Sequence, residues 1–344
     1  MSRTLAAGCL ITVLCGPGGY ALGQAPPPGM GPPPVPALPA TDDPAELKRL
    51  WAAQLDATRW ERGQLEKQAD DLRIALAAKG VLDYRKIEYR SADGLSIPAY
   101  LFQPLTPAAG RRPAVIFVHG SQHGQFNSRS YPRVAELVQR GYLVLAPDYR
   151  SSSGYTKAFH DAADYGGREI DDMLAAGDFL AALPGVDPAR IAILGQSHGG
   201  YNVLMALARQ PGKFAAGVDF FGPTDLVWRL TAPAGANANT DPGDREYFAG
   251  MVGKPIDEAP ELYRARSPRH LAKDIRDPLL ILHGDRDAVV SVQESLWLDA
   301  ALKEAGNNNH SLHVIRDGQH GYPAPQMDEM WRLTFGFLQE TLGH

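Results

Sequence analysis

The chain has 344 residues, 44% of them hydrophobic, with 39 acidic against 34 basic side chains for a net charge of −5. That is enough apolar material for one large or two ordinary globular domains. The mildly acidic balance gives no basic footprint for nucleic acid, so no nucleic-acid partner is expected.

At the amino end Arg3 precedes an apolar run from Leu5 to about Cys15, followed by small and turn-forming residues up to Gly23. This is the three-part layout of a secretory signal peptide, too short for the roughly 20 apolar residues of a membrane span. Residues 1–23 are therefore expected to direct secretion or periplasmic export. Cleavage after Gly23 would remove both cysteines, Cys9 and Cys15, excluding thiol chemistry and leaving no membrane span in the mature chain. Cys9 after Leu5-Ala6-Ala7-Gly8 resembles a lipobox whose leucine lies one place too far away, a minor alternative.

Residues 24–42 are proline-rich and read as an extended linker. Asp43-Pro44-Ala45-Glu46 then has the form of a helix start with a capping box, and a helical arm is predicted over 43–80, stopping at Gly80. Along it Trp51, Leu55, Thr58, Arg62, Leu65, Ala69, Leu72 and Leu76 recur alternately four and three residues apart, a coiled-coil-like seam. The seam allows a homodimer through residues 43–80. Arg62 would interrupt such a zipper, which favours a helix, or a hairpin broken near Gly63, packed on its own domain.

From residue 84 to 344 the pattern changes to alternating strands and helices. Arg85 to Phe102 reads as a hairpin turning near Asp93-Gly94. Apolar runs follow at 114–118, 142–146, 190–194, 217–221, 279–282 and 312–315, with helical stretches such as 169–183 and 292–305 between them. Buried apolar strands alternating with helices imply a mostly parallel sheet covered on both faces, an α/β fold. The stretch 226–277 has no clear strand and reads as a helical excursion over one end of the sheet.

Residues 195–200 read Gly-Gln-Ser-His-Gly-Gly between a predicted strand and a predicted helix. In that context G-x-S-x-G is a nucleophile elbow: Gly195 and Gly199 permit a sharp turn that lifts Ser197 above the carboxyl edge of the sheet, near a helix amino terminus. A serine hydroxyl becomes nucleophilic only beside a neutral histidine, itself oriented by a carboxylate, and on this fold the chain order is Ser, acid, His. Asp285 and Asp287 follow the strand 279–282, and His320 follows the strand 312–315. All three groups therefore fall at one edge of the sheet. The backbone N–H of His198 is the expected first oxyanion donor, and that of Ser121, with Gly120 as alternative, the second.

Phe221, Val227 and Trp228, placed after the strand 217–221, are candidate pocket residues, with simple core packing as the alternative. His310 and His313 lie at the start of a strand or within it, where packing or surface roles are the default, and His344 is terminal. His119 and His123 have a spacing seen in metal sites but occupy a glycine-rich loop rather than one helical face. No metal or cofactor is expected.

The blocks HGSQHGQF (119–126), DYRSSSGYTKAFHDA (148–162), GQSHGGY (195–201), ELYRARSPRHLAKDIRDPLLILHGDRDAVVSVQES (261–295) and DGQHGY (317–322) resemble the catalytic domain of the prolyl oligopeptidase family, particularly its acylaminoacyl-peptidase and dipeptidyl-peptidase branches. The likeness runs from about Arg85 to the carboxyl end. It implies the α/β-hydrolase fold, Asp287 rather than Asp285 as the acid through the pattern HGxxDxxV, and His320 as the base through a short Gly-x-His-Gly loop. His119-Gly120-Ser121-Gln122 stands where the family often has His-Gly-Gly-Pro, and His198 where it often has Tyr. The β-propeller of large members is not found upstream, so their exopeptidase specificity is not expected to carry over. The resemblance implies a serine peptidase, which together with the signal-peptide pattern and the upstream stalk and helix reads as an exported one without a propeller. The alternative is a carboxylesterase acting on small or carbohydrate-linked esters. A third, non-catalytic scaffold built on the helical arm is disfavoured by the intact triad.

Overall fold

The computed structural model describes residues 41, 43–106, 110–233, 242–321 and 324–343. The expected signal peptide and the linker, apart from Thr41, lie outside the described residues, as does His344. The chain divides into two compact units, Met1–Ala53 and Gln54–His344.

In the first unit the described residues are the start of helix α1 (Pro44–Ala78). Asp43 caps it by accepting the Ala45 N–H at 3.0 Å. Glu46 does not close the expected box; its carboxylate takes the Thr41 hydroxyl at 2.8 Å instead.

The second unit holds the rest of α1 and one eight-stranded sheet. In chain order its elements are β1 (Asp83–Arg90), β2 (Ser96–Gln103), β3 (Arg112–Val118), α2 (Tyr131–Gln139), β4 (Leu143–Pro147), α3 (Lys157–His160), α4 (Arg168–Ala181), β5 (Val186–Gln196), α5 (His198–Arg209) and β6 (Ala216–Phe220). They continue with α6 (Leu226–Thr231), α7 (Pro242–Val252), α8 (Pro260–Ala265), β7 (Leu279–Gly284), α9 (Val292–Glu304), β8 (His310–Ile315) and α10 (Ala324–Leu342). The sheet order is β1-β2-β4-β3-β5-β6-β7-β8. The β1-β2 hairpin joins β4 antiparallel, and every pairing from β4 to β8 is parallel.

Alternation along each strand sorts side chains onto two cores. Ala114, Ile116, Leu143, Leu145, Ile191 and Ile193 pack with α4 and α5 on one face. Val115, Phe117, Val144, Ala192 and Leu194 pack with Val134 of α2, Trp331 of α10 and Ile74 of α1 on the other. Because both faces are covered, the central strands are apolar throughout, which is why they stand out in the sequence. This is the α/β-hydrolase fold.

Helix α1 runs unbroken through Gly63 and ends before Gly80, whose φ of +73° turns the chain. It packs by a different face from the expected seam. Leu55, Leu65, Leu72 and Leu76 are between 64% and 72% exposed, whereas Lys67, Ile74 and Ala78 are buried. Residues 67, 71, 74 and 78 carry the same four-three spacing as the leucines, so periodicity could not separate the two stripes. The docked stripe contains Lys67 and Asp71, which meet polar partners on the body rather than an apolar groove.

Candidate active site

Ser197 joins β5 to α5 in a left-handed conformation, φ +55° and ψ −120°. A non-glycine residue there is strained and persists only where its surroundings enforce it. The enforcement is steric. A methyl group on Gly195 would strike the Gly199 carbonyl, and one on Gly199 the Val118 carbonyl. The Ser197 N–H is tied to the Phe220 carbonyl at 2.8 Å, and its carbonyl starts α5 by accepting the Tyr201 N–H at 3.0 Å.

The three residues expected to act together do meet. Ser197 Oγ lies 3.0 Å from His320 Nε2, and His320 Nδ1 lies 2.8 Å from Asp287 Oδ2. A carboxylate only accepts, so Nδ1 carries the proton toward Asp287 and leaves Nε2 as acceptor for the serine hydroxyl. Asp287 follows β7 and His320 follows β8, each past the carboxyl end of its strand. Asp285 points outward and is exposed.

Asp287 is held firmly. Its Oδ1 accepts the Val289 and Val290 amides at 2.8 and 2.9 Å. Burial works against its charge, but hydrogen bonds from His283, His320 and the Val290 amide outweigh it and hold the carboxyl well below the usual carboxylate range. His283 is fully buried between Ser295 Oγ at 2.7 Å and the Val290 carbonyl at 3.0 Å. Asp219 beside the elbow behaves oppositely. Burial pushes it up to about 7 despite the Gly222 amide it accepts.

Ser121 and His198 both border the cleft that contains Ser197. Ser121 has a φ of +65°, and its loop is pinned from the segment after β4. The Tyr149 hydroxyl donates to the Ser121 carbonyl at 3.0 Å, the Ser151 hydroxyl to Gln122 at 2.6 Å, and the Ser153 amide to Gly124 at 3.0 Å. The His198 ring is buried and faces Glu169 Oε2 at 3.1 Å. The cleft has a volume of about 500 Å³ and is walled by Tyr165, Phe221, Tyr247, Phe248, Val289 and Val290, with Arg229 and Asp244 also on its surface.

The sequence profile of the prolyl oligopeptidase family matches residues 128–344. The chain belongs to the prolyl oligopeptidase family. It is 30% identical over 283 residues to dipeptidyl aminopeptidase BIII of Pseudoxanthomonas mexicana, covering 79% of this chain and 40% of that protein. Among solved structures, a puromycin-hydrolyzing peptidase of Mycobacterium tuberculosis superposes with a TM-score of 0.69 at 26% identity, over 76% of this chain and 40% of that one. The acylaminoacyl peptidase of Pyrococcus horikoshii superposes with a TM-score of 0.63 at 26% identity, over 76% of this chain and 42% of that one. The chain thus spans about two fifths of the length of these relatives.

Within this prolyl oligopeptidase domain, one pocket expectation needs correction. Phe221 borders the cleft and presents its ring edge to His320 at 4.7 Å, but Val227 and Trp228 are not among the lining residues. Helix α6 is capped by Asp225 and turns Arg229 toward the cleft, while Trp228 packs edge-on against Trp297 of α9 at 5.1 Å. Val289 and Val290 sit two and three residues past Asp287, a signal that was available. Tyr165 comes from the irregular segment between α3 and α4, and Tyr247 and Phe248 from α7; neither stretch carries such a signal.

Most of the remaining histidines have structural contacts. His119 is buried against Ser152 at 2.9 Å, and burial brings it down to about 4. His123 pairs with the Ser151 carbonyl at 2.9 Å and stacks on His160. His310 faces Asp299, and His313 is exposed. Among the described residues no group of three or more His, Cys, Asp or Glu side chains could hold a metal ion.

Proposed function

We propose that the chain is a serine-type peptidase acting by an acyl-enzyme intermediate. Ser197 attacks the substrate carbonyl while His320 takes its proton, Asp287 orients His320 and stabilises its charge, and the amides of His198 and Ser121 receive the oxyanion. His320 then gives its proton to the leaving amine, and water repeats the sequence to release the acid. The observation that carries this is the continuous hydrogen-bonded line from Ser197 through His320 to Asp287.

The walls of the cleft favour an apolar or aromatic residue on the acyl side of the bond. Peptide or aminoacyl amides are proposed over small esters, because the relatives it matches are peptidases by name. Export is proposed on the sequence pattern after Arg3.

The test compares residues 24–344 with Ser197→Ala on aminoacyl and peptidyl nitroanilides beside a short-chain nitrophenyl ester. Amide cleavage that disappears in the variant, with loss of fluorophosphonate labelling, is expected. Ester turnover with no amide cleavage would overturn the peptidase assignment.

A further inference from the structure

Lys67 is the one lysine among the described residues that is buried, at 2% exposure, although it lies in the middle of a helix whose leucines face water. Its ammonium is 2.8 Å from Asp148 Oδ2 and 3.3 Å from Asp71 Oδ1, and it sits 4.4 Å above the Tyr100 ring. It also donates to the Phe126 carbonyl at 3.1 Å. Asp148 is fully buried; its Oδ1 accepts the Phe126 amide at 2.5 Å and its Oδ2 the Tyr155 hydroxyl at 2.6 Å. Both backbone groups of Phe126 are thus gripped by one buried ion pair, the N–H by the acid and the carbonyl by the base.

Phe126 closes the loop that opens with His119-Gly120-Ser121. The neighbouring contacts of α1 act on the same two segments. Asp70 takes the Ser128 amide and hydroxyl at 2.6 and 2.5 Å, and the Gln64 amide donates to the Tyr155 carbonyl at 3.2 Å. Gly154 packs so tightly that an added Cβ would lie 2.6 Å from Lys67 Cβ. The segment 149–153, braced in this way, in turn holds the carbonyls of Ser121, Gln122 and Gly124.

Resting on the assignment of Ser121 as an oxyanion donor, we propose that Lys67 is a positioning residue for the oxyanion loop, and that α1 is the element that carries it there. Its cation neutralises Asp148 and fixes Phe126, which sets the end of the loop and thereby the direction of the Ser121 N–H. Lys67 touches no substrate. Its contribution should appear where negative charge develops on the carbonyl oxygen and not in substrate binding.

The test measures kcat, KM and inhibition by a peptide aldehyde, whose adduct with Ser197 places an oxyanion in the site, for the full chain and for Lys67→Met. The variant should lose about 10²-fold in kcat with KM changed by less than about threefold. Its aldehyde inhibition constant should rise in parallel with the loss of kcat. The double variant Lys67→Met/Asp148→Asn, which leaves no unpaired buried charge, should recover about tenfold yet remain below the parent, because the Phe126 carbonyl still lacks its donor. An unchanged kcat in a folded Lys67→Met protein, or a change in KM alone, would overturn the proposal. If the single variant does not fold, the double variant decides, and parental kcat in it overturns the proposal equally. Ser197→Ala separates the two levels. Hydrolysis that survives in it removes the proposed function itself, whereas its loss together with an indifferent Lys67 removes only the role of α1.

Discussion

At the Ser197 elbow the backbone is forced into a left-handed turn between glycines that leave no room for a methyl group, whereas α1 runs 35 residues in regular helix and presents most of its leucines to water. Both regions meet the edge of the sheet where the cleft lies. They do so by different physics. The elbow is shaped by covalent geometry and sterics, which admit one residue type at each place. The helix is held there by a buried charge, a few hydrogen bonds and the small buried patch of Ile74 and Ala78, while its leucine stripe stays mostly in water. Position enforced by backbone shape leaves a motif in the sequence, and position enforced by one ion pair does not.

The sharpest break of that comparison is at the elbow itself. Ser197→Ala should reduce kcat on the order of 10⁶-fold, and Asp287→Asn about 10⁴-fold, with the fold intact by circular dichroism. A reduction of tenfold or less in either would detach the elbow from the chemistry.

Next comes Asp219, the buried acid beside the elbow. Its folded value is raised from 3.8 to about 7, so between those limits the folded state holds a proton that the unfolded state has released. Its contribution to stability is therefore complete below about pH 4 and is lost as pH rises through 7, a change of about 4 kcal/mol at most. Asp219→Asn should remove this decline, gaining on the parent protein in denaturant melts from pH 4 to 8. A constant difference across that range would show that Asp219 does not titrate there.

Gly199→Ala tests the steric half of the comparison. The new methyl group meets the Val118 carbonyl, which is backbone and cannot swing away. A loss of about 3 kcal/mol is expected in the same melts, together with loss of activity. A variant of parental stability would mean that the elbow relaxes more easily than its packing implies.

The smallest effect is expected on α1. Leu65→Gln with Leu72→Gln should shift stability by less than about 0.5 kcal/mol, since both side chains are mostly in water. Sedimentation of that variant also tests the homodimer suggested by the seam, because a mass unchanged from that of the parent excludes it.

Much of the fold was legible because the central strands are buried on both faces and so appear as uninterrupted apolar runs. The elbow was legible for the steric reason given above, and Asp287 and His320 because each lies on the loop that ends a strand. The cleft was not. Tyr165, Arg229 and Tyr247 converge from segments spread over about 80 residues with no shared period, and α6 rotated Arg229 into the place expected for Trp228. The docked face of α1 was hidden for another reason. Lys67 and Asp71 look like ordinary surface residues until Asp148 and Tyr100 are seen beneath them.

The spread of these groups along the chain also governs when the molecule can act. Ser197 and His320 are 123 residues apart, Asp287 and His320 33, and Lys67 reaches across 59 residues to Phe126. His320 lies beyond the last strand, so a chain still being synthesised has its nucleophile long before it has its base. On the proposed mechanism, a nascent or truncated molecule is therefore inert toward its neighbours, and hydrolytic power arises only once the whole sheet has been assembled.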